Sequence, residues 1–264
     1  MRTWLYNLFL ILLALASITP FLWLVNQAFT APRLAASPGW SFYNFRFLLN
    51  RFPFATWMIN SLFVSCAQTV LVVILSTMGG FAMAKYSFRF KKPLMAMMFA
   101  TLLLPQQILM PSMQLILYRL GAMDSYAAII IPGAISVFGI FLFYQSMKQI
   151  PDELLSAARI DGCNEFRLYW QIALPMVRPM TGAFTLLSFM GNWNSFLWPQ
   201  IVLHSRDKYT LPIGLANLIG QSELNSPTGV LLAGTLLSIL PVVILFFFLQ
   251  KDFVAGIASG SIKG

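Results

Sequence analysis

Six stretches of this chain, 4–28, 57–84, 93–117, 125–147, 179–203 and 227–250, contain no Asp, Glu, Lys, Arg or His. A hydrocarbon core about 30 Å thick is crossed by about 20 apolar residues in helical form, so each stretch is long enough to span it. One Asp, Lys or Arg at mid-span would cost about 2.5–3.5 kcal/mol, which is why their absence from six separate runs is informative. Lipid offers the backbone no hydrogen bonds, and an uninterrupted apolar run satisfies its own N–H and C=O groups by becoming a helix. The composition agrees: 58% of the chain is hydrophobic and 9% charged, where a soluble domain carries roughly 25% charged residues. The sequence therefore predicts an all-α polytopic membrane protein with six transmembrane helices, forming a single transmembrane domain over 1–264.

Basic residues orient the spans. With six crossings both termini share a side, and that side holds Arg2, Lys85, Arg89, Lys91, Lys92, Lys148, Arg159, Arg167, Arg178, Lys251 and Lys263. The other side holds Arg33, Arg46, Arg51, Arg119, Arg206 and Lys208. The larger set belongs in the cytoplasm, so both termini are expected there. The formal net charge of +9 is then a topology signal that suits an anionic inner leaflet and membrane lipid, not a nucleic-acid partner. Ala14-Leu15-Ala16 imitates a signal-peptide cleavage site, but the apolar run continues through "SITPFLWLV", so an uncleaved first span is expected. Cys66 lies in a span and Cys163 in an inner loop, and both read as small fillers.

Some spans carry interruptions. Pro20 should kink the first. Pro105 and Pro111 flank Gln106 and Gln107 in the third, and broken helices with polar side chains at membrane depth commonly line a cavity or bury against protein. The fourth holds Pro132 and Gly133. The outer segment 29–56 has aromatics at helical spacing and reads as an interfacial helix leading into the second span.

Between the fourth and fifth spans the character changes. "PDELLSAARIDG" is polar and has helix signals: Asp152 and Glu153 suit a first turn, and Gly162 is placed to end it. Asn164 can cap a second short helix, "EFRLYWQIAL", which Pro175 should close. A cytoplasmic helix–turn–helix over 151–175 is predicted. Leu154, Ala157, Ala158 and Asp161 share one face by the i, i+3, i+4, i+7 rule. Two alanines keep that face thin enough for another protein to approach closely, and Asp161 sits where the helix dipole disfavours an anion. An ordinary surface helix with a tolerated aspartate fits the same residues.

A resemblance to a known family shifts the balance between these readings. Ala157-Ala158, then Gly162 after three residues, then Ile172-Ala173-Leu174-Pro175 after nine more, is similar to the EAA motif of permease subunits of binding-protein-dependent ABC importers. That motif reads Glu-Ala-Ala, three residues, Gly, nine residues, Ile, any residue, Leu-Pro. Ser156 stands in place of the family glutamate, and Glu153, one turn earlier, can substitute for its charge only in part. "WMINSLFVS", "WNSFLWPQIVL", "YTLPIGLANL" and "FVAGIASGSIKG" further resemble the carbohydrate branch, the second permease of maltose-type and glycerol-phosphate-type systems. The resemblance implies a type I importer transmembrane domain in the inner membrane. It implies that Glu153, Ser156, Ala157, Ala158, Asp161, Gly162, Ile172, Leu174 and Pro175 belong to a coupling segment that docks on a separate ATPase. Implied partners are a homologous second permease, two ATP-binding subunits that hold the ATP and magnesium, and a periplasmic or lipid-anchored solute-binding protein. The loop 204–226 would reach toward that binding protein, and the tail 251–264, with Gly260, Lys263 and Gly264, would touch the ATPase.

The chain has no GxxxxGK[ST] loop to cradle phosphates, no cofactor motif, and no catalytic or metal-binding constellation; its one histidine, His204, reads as a solvated loop residue. An enzyme is not expected. Candidates for lining a solute path are Asn192, Trp193, Asn194, Trp198 and Gln200 in the fifth span and Gln106 and Gln107 in the third, with Gln68 a lesser one. Amides suit sugar hydroxyls and indoles suit sugar C–H faces, although Asn and Gln also bond between helices and Trp favours the interfacial belt. The rival function is an ion-coupled secondary transporter. Proton coupling needs intramembrane ionisable groups, which the spans lack, whereas sodium coupling does not. The transported solute, whether disaccharide, oligosaccharide, polyol or glycerol 3-phosphate, is not encoded in any motif.

Overall fold

The computed structural model describes residues 2–31, 39–219 and 227–261. The chain is built of helices: α1 (Arg2–Phe29), α2 (Tyr43–Arg51), α3 (Phe54–Lys85), α4 (Lys91–Leu102), α5 (Gln106–Arg119), α6 (Ala127–Ile130), α7 (Val137–Met147), α8 (Asp152–Ile160), α9 (Glu165–Leu168), α10 (Leu174–Met176), α11 (Arg178–Trp193), α12 (Leu197–Val202), α13 (Leu211–Ala216) and α14 (Pro227–Ser261). Two strands of two residues each depart from the all-α expectation. They pair antiparallel, with Thr30 opposite Trp40 and Ala31 opposite Gly39.

Among the described residues, three helices are long and apolar enough to cross a membrane: Tyr6–Phe29, Phe54–Lys85 and Thr228–Lys251. Two bent pairs raise that to five if each counts as one span. The first is α4 with α5, bent by 99°, and the second is Glu165–Met176 with α11, bent by 82°. The six spans expected from the sequence are thus not all present as straight helices; the third breaks as its interruption at Pro105 suggested, the fourth and fifth break as well, and the reasons are local. In the predicted third span, Pro105 takes an extended conformation (φ −61°, ψ 125°) ahead of α5, and the end of α4 tightens through bonds from Leu103 N–H to Ala100 O and from Leu104 N–H to Thr101 O. Pro111, by contrast, stays inside α5. In the predicted fourth span, Pro132 opens a 3-10 turn, Ile135 and Ser136 are extended, and the Ser136 hydroxyl accepts the Gly139 N–H at 3.0 Å to start α7. That leaves 11 residues of regular helix, about 16 Å at 1.5 Å per residue. The predicted fifth span stops at Trp193 and resumes at Leu197.

Two compact units divide the chain, with their boundaries inside α3 and α14: residues 1–60 with 209–242, and 61–208 with 243–264. In the first, Asn44 of α2 is fully buried and its amide donates to Ala28 O and Thr30 O, both at 2.9 Å. It thereby satisfies carbonyls left open at the end of α1. Phe29 stacks on Trp40 at 5.1 Å and meets Phe42 edge-on at 5.2 Å. Helix α2 is the segment read from the sequence as interfacial, and it does form.

In the second unit, α3 packs along α7 and the segment 151–175. Phe81, Phe143, Met147, Leu155, Leu168 and Tyr169 are buried in one cluster, with Phe143 and Phe184 edge to face at 5.4 Å. Gly80 permits this approach: a Cβ there would lie 2.5 Å from Phe143 Cβ and 2.8 Å from the backbone of Phe143 and Tyr144. Close backbone contact through small residues is the usual way membrane helices pack. Gly80→Leu should therefore lower stability by about 1–3 kcal/mol or more through overpacking. The check is the midpoint of thermal unfolding of the detergent-purified protein, which should fall well below that of Gly191→Leu, because a Cβ at Gly191 meets nothing within 4 Å.

Candidate functional site

Helix α8 is polar because its sequence gives it one buried row and one exposed row. Leu155 is buried and Ala158 half-buried against the cluster. Glu153, Leu154, Ser156, Ala157 and Asp161 are exposed. The face expected from sequence is thus corrected at one position: Ala158 turns inward, and Leu154, Ala157 and Asp161 remain outward. The Ser156 hydroxyl donates back to Asp152 O at 2.9 Å, a bond within its own helix. Asp161 is the C-cap residue.

The helix ends as its glycine requires. Gly162 has φ +81°, a left-handed conformation that costs an ordinary residue about 1–2 kcal/mol. The Gly162 N–H donates to Arg159 O and the Cys163 N–H to Ala158 O, both at 3.0 Å, which is the paired arrangement that closes a helix at a left-handed glycine. Asn164 then caps α9, accepting the Arg167 N–H at 2.8 Å. Pro175 behaves differently from expectation. It does not close the second helix, because residues Tyr169–Ala173 widen into a π-turn in which the Leu174 N–H reaches back to Tyr169 O. The wider turn makes room for a residue that lacks N–H and would crowd the preceding carbonyl. The helix runs on to Met176, and Val177 (φ −102°, ψ 18°) forms the elbow into α11. Ile172 and Leu174 pack partly buried against the core, while Pro175 is exposed.

Among the described residues, three polar ties bind this segment to itself, to α3 and to Tyr86 just after it, and they were not foreseen from the sequence. Lys85, in the last turn of α3, donates from Nζ to Ile150 O at 2.5 Å and to Asp152 Oδ1 at 2.7 Å. Its side chain is 4% exposed, while that of Asp152 is 83% exposed. At the other end of α8, Arg159 donates from Nε to Glu165 Oε1 at 2.7 Å and from Nη2 to Oε2 at 3.2 Å, and the Tyr86 hydroxyl donates to the same Oε2. The third tie is buried: the hydroxyls of Thr77 and Tyr169 meet at 2.7 Å. The available signals were oppositely charged residues at helix ends, but their pairing spans dozens of residues.

Hydrogen bonding and charge from Lys85 hold the Asp152 carboxyl below its usual range, and Arg159 and Tyr86 do the same for Glu165. Burial and the Glu165 carboxylate push the Tyr86 phenol up.

The path candidates do not converge on one cluster. Asn192 is half-buried and donates to Thr69 Oγ1 of α3 at 3.1 Å. Trp193 is buried and stacks on Phe189 at 5.7 Å. Asn194 bonds Met190 O of its own helix at 2.8 Å, and Trp198 Nε1 donates to Ala128 O of α6 at 3.1 Å. Gln200, Gln106 and Gln107 are exposed, the last two at the start of α5. His204 is exposed. Gly260 falls in α14, while Lys263 and Gly264 lie outside the described residues, as does 220–226 of the loop 204–226. Among the described residues no cluster of His, Cys, Asp and Glu of metal-binding size occurs.

Residues 76–257 match the family of binding-protein-dependent transport system inner membrane components. The chain belongs to that family. It is a multi-pass inner-membrane transport subunit, a permease and not an enzyme. It is 36% identical over 225 residues to the arabinooligosaccharides transport system permease protein AraQ of Bacillus subtilis, covering 85% of this chain and 79% of that one. To AraQ of Halalkalibacterium halodurans it is 38% identical over 209 residues, 79% of this chain and 74% of that one. The maltodextrin permease MdxG of Bacillus subtilis is 31% identical over 265 residues, covering 97% and 95%. A bacterial ABC transporter that imports alginate has a chain of the same fold, with a TM-score of 0.84 over 94% of this permease and 95% of that chain at 22% identity.

Because Lys85 is buried and bonds a carbonyl, while Asp152 is exposed, the two ends of that tie should respond unequally to mutation. Lys85→Met should lower the free energy of local opening at α8 by about 1–3 kcal/mol, and Asp152→Ala, whose carboxylate is screened by solvent, should lower it much less. Hydrogen exchange at the amides of residues 153–163 reads both. The acid limb follows from sign: both carboxyls are held below their unfolded values, so their stabilisation is present above the usual carboxylate range and is lost as pH falls through the depressed values. Protection factors at these amides should be level from neutral pH down to about pH 5 and drop only below about pH 4.

Proposed function

We propose that this permease is one membrane half of an ATP-driven importer for an oligosaccharide, and that α8 with Gly162 is the helix on which a separate ATPase pushes. The observation that carries this reading is the way α8 is held: its inner row is rooted in the core, both ends are clamped to α3 and α9, and Leu154, Ala157 and Asp161 are left outward with no side-chain bulk between the alanine and solvent. A helix fixed at both ends transmits displacement instead of absorbing it. The motif residues Ile172 and Leu174 extend that rigidity to the elbow at Val177, and Pro175 sits beside it.

In this reading the chain is a single domain that crosses the membrane six times, with α4–α5, the 127–147 region and α11–α12 acting as broken spans. The excess of basic residues at 85–92, 148–178 and 251–263 over the opposite loops supports cytoplasmic termini and a cytoplasmic α8. Its partners are a homologous second permease, two ATP-binding subunits beneath, and a solute-binding protein outside. The relatives named for arabinooligosaccharides and maltodextrin support a short sugar oligomer as cargo. The alginate transporter has been captured with a substrate-bound periplasmic protein, which supports the same kind of delivery here. Asn192, Trp193, Asn194, Trp198, Gln200, Gln106 and Gln107 are the residues proposed for the path, with Asn192 near the bond to Thr69 as the first to test. The tail residues Gly260, Lys263 and Gly264 are proposed to contact the ATPase. Exposed Glu153 is proposed to supply part of the charge that Ser156 does not.

ATP closure of the ATPase dimer would draw α8, turn the spans outward to receive sugar from the binding protein, and hydrolysis would reset them. In vesicles containing the whole importer, labelled arabinotriose or maltotriose should accumulate with ATP inside and not with an ion gradient alone; the reverse would establish the secondary-transporter reading. Gly162→Val should cut uptake by roughly tenfold or more with normal abundance in the membrane. Gly162→Asn separates cause, since asparagine tolerates the left-handed backbone but adds bulk; full activity of the asparagine variant would assign the loss to strain, and undiminished uptake by the valine variant would end the coupling role.

A further inference from the structure

The most heavily bonded carboxylate among the described residues lies away from α8, in the turn between α5 and α6. Asp124 is the one described non-glycine residue with positive φ, at 54°, a conformation that aspartate tolerates better than most. Its Oδ1 accepts the N–H groups of His204 at 2.9 Å and Ser205 at 3.0 Å. Its Oδ2 accepts the Ser205 hydroxyl at 2.5 Å and Lys208 Nζ at 3.0 Å. Lys208 Nζ also donates to Asp124 O at 2.7 Å, and the Asp124 N–H donates to Val202 O at 3.0 Å. Backbone and side chain together thus bind the turn after α5 to everything from Val202 to Lys208. The Ser205 hydroxyl and N–H hold the Asp124 carboxyl far below the usual range, so it stays charged at any pH a cell surface meets.

A second, independent contact joins the same parts, the bond from Trp198 of α12 to Ala128 O of α6. The chain joins this block to the rest of the protein at four places, none of them regular α-helix: Leu103–Pro105 before α5, Ile131–Ser136 between α6 and α7, Asn194–Phe196 before α12, and 209–210 ahead of α13. A tightly tied body whose chain connections are all breaks in the helices is the arrangement of a hinged panel.

We propose that Asp124 is a positioning residue that welds α5, α6 and α12 into one block, and that this block turns as a unit about Leu103–Pro105, Ile131–Ser136 and Asn194–Phe196 when the permease changes access. The proposal rests on the reading of the chain as an ATP-driven permease. It predicts a specific pattern of motion that membership of the family does not require.

The test uses the whole importer in proteoliposomes, with Cys66 and Cys163 changed to serine. Spin labels at Tyr118 of α5 and Leu197 of α12, both exposed, report distances inside the block. Labels at Met97 of α4, also exposed, and Tyr118 report across the hinge. Between the nucleotide-free and vanadate-trapped states the first distance should stay constant and the second should shift by several ångströms. Asp124→Gly keeps the backbone freedom and removes the carboxylate. It should broaden the first distribution, abolish stimulation of ATP hydrolysis by the binding protein, and lower arabinotriose or maltotriose uptake roughly tenfold. Should that variant fail to fold, Asp124→Cys with Ser205→Cys restores the weld as a disulfide, and uptake should survive oxidation. A first distance that changes between states, a second that does not, or loss of uptake on oxidation restored by reductant would each overturn the proposal while leaving ATP-driven transport intact. Absence of ATP-driven uptake in the parent would remove the functional reading, and the proposal with it.

Discussion

Lipid withholds hydrogen bonds, and nearly every feature of this permease answers to that. Where the chain stays helical it needs no help, so α1, α3 and α14 each hold a long run without a charged residue. Where it leaves the helix, a side chain or a tightened turn takes over the open backbone groups. Asn44 satisfies the carbonyls at the end of α1, Ser136 starts α7, Asn194 bonds back onto α11, and Lys85 takes the carbonyl of Ile150.

That constraint separates what the sequence makes legible from what it hides. Long charge-free runs identify α1, α3 and α14 because their information is local: one run, one helix. The ends of α8 and the start of α9 are equally legible, since Gly162 and Asn164 act on neighbours within a turn. The breaks at Pro105, Ser136 and Asn194 are harder. Composition across 93–117, 125–147 and 179–203 is as apolar as in the unbroken helices, and a proline inside such a run is ambiguous. Pro111 sits inside α5 while Pro105 ends a helix, and Pro175 passes through because a π-turn opens ahead of it. The ties of Lys85 to Asp152 and of Asp124 to Ser205 are invisible to periodicity, for their partners lie 67 and 81 residues away.

Ser156 illustrates how a motif can persist when one letter changes. The spacing from Ala157 to Pro175 is set by geometry: a closed helix, a left-handed glycine, a capped second helix and a widened turn must fit between α3 and the elbow. The position at 156 is outward and bonds only within α8, so the scaffold does not depend on which polar residue stands there. The segment's rigidity comes instead from Leu155, Ala158, Ile172 and Leu174 facing inward, and from Lys85, Arg159 and Glu165 at the margins.

The near-right angle at Val177 has a mechanical consequence. Two stiff arms joined at about 82° make a bell crank: a push along the shorter arm arrives in the longer one as torque. Because the shorter arm is pinned near its middle by Tyr169 and Thr77, α11 should swivel and not slide, sweeping Asn192 sideways past Thr69 without dragging apolar side chains through the headgroup layer.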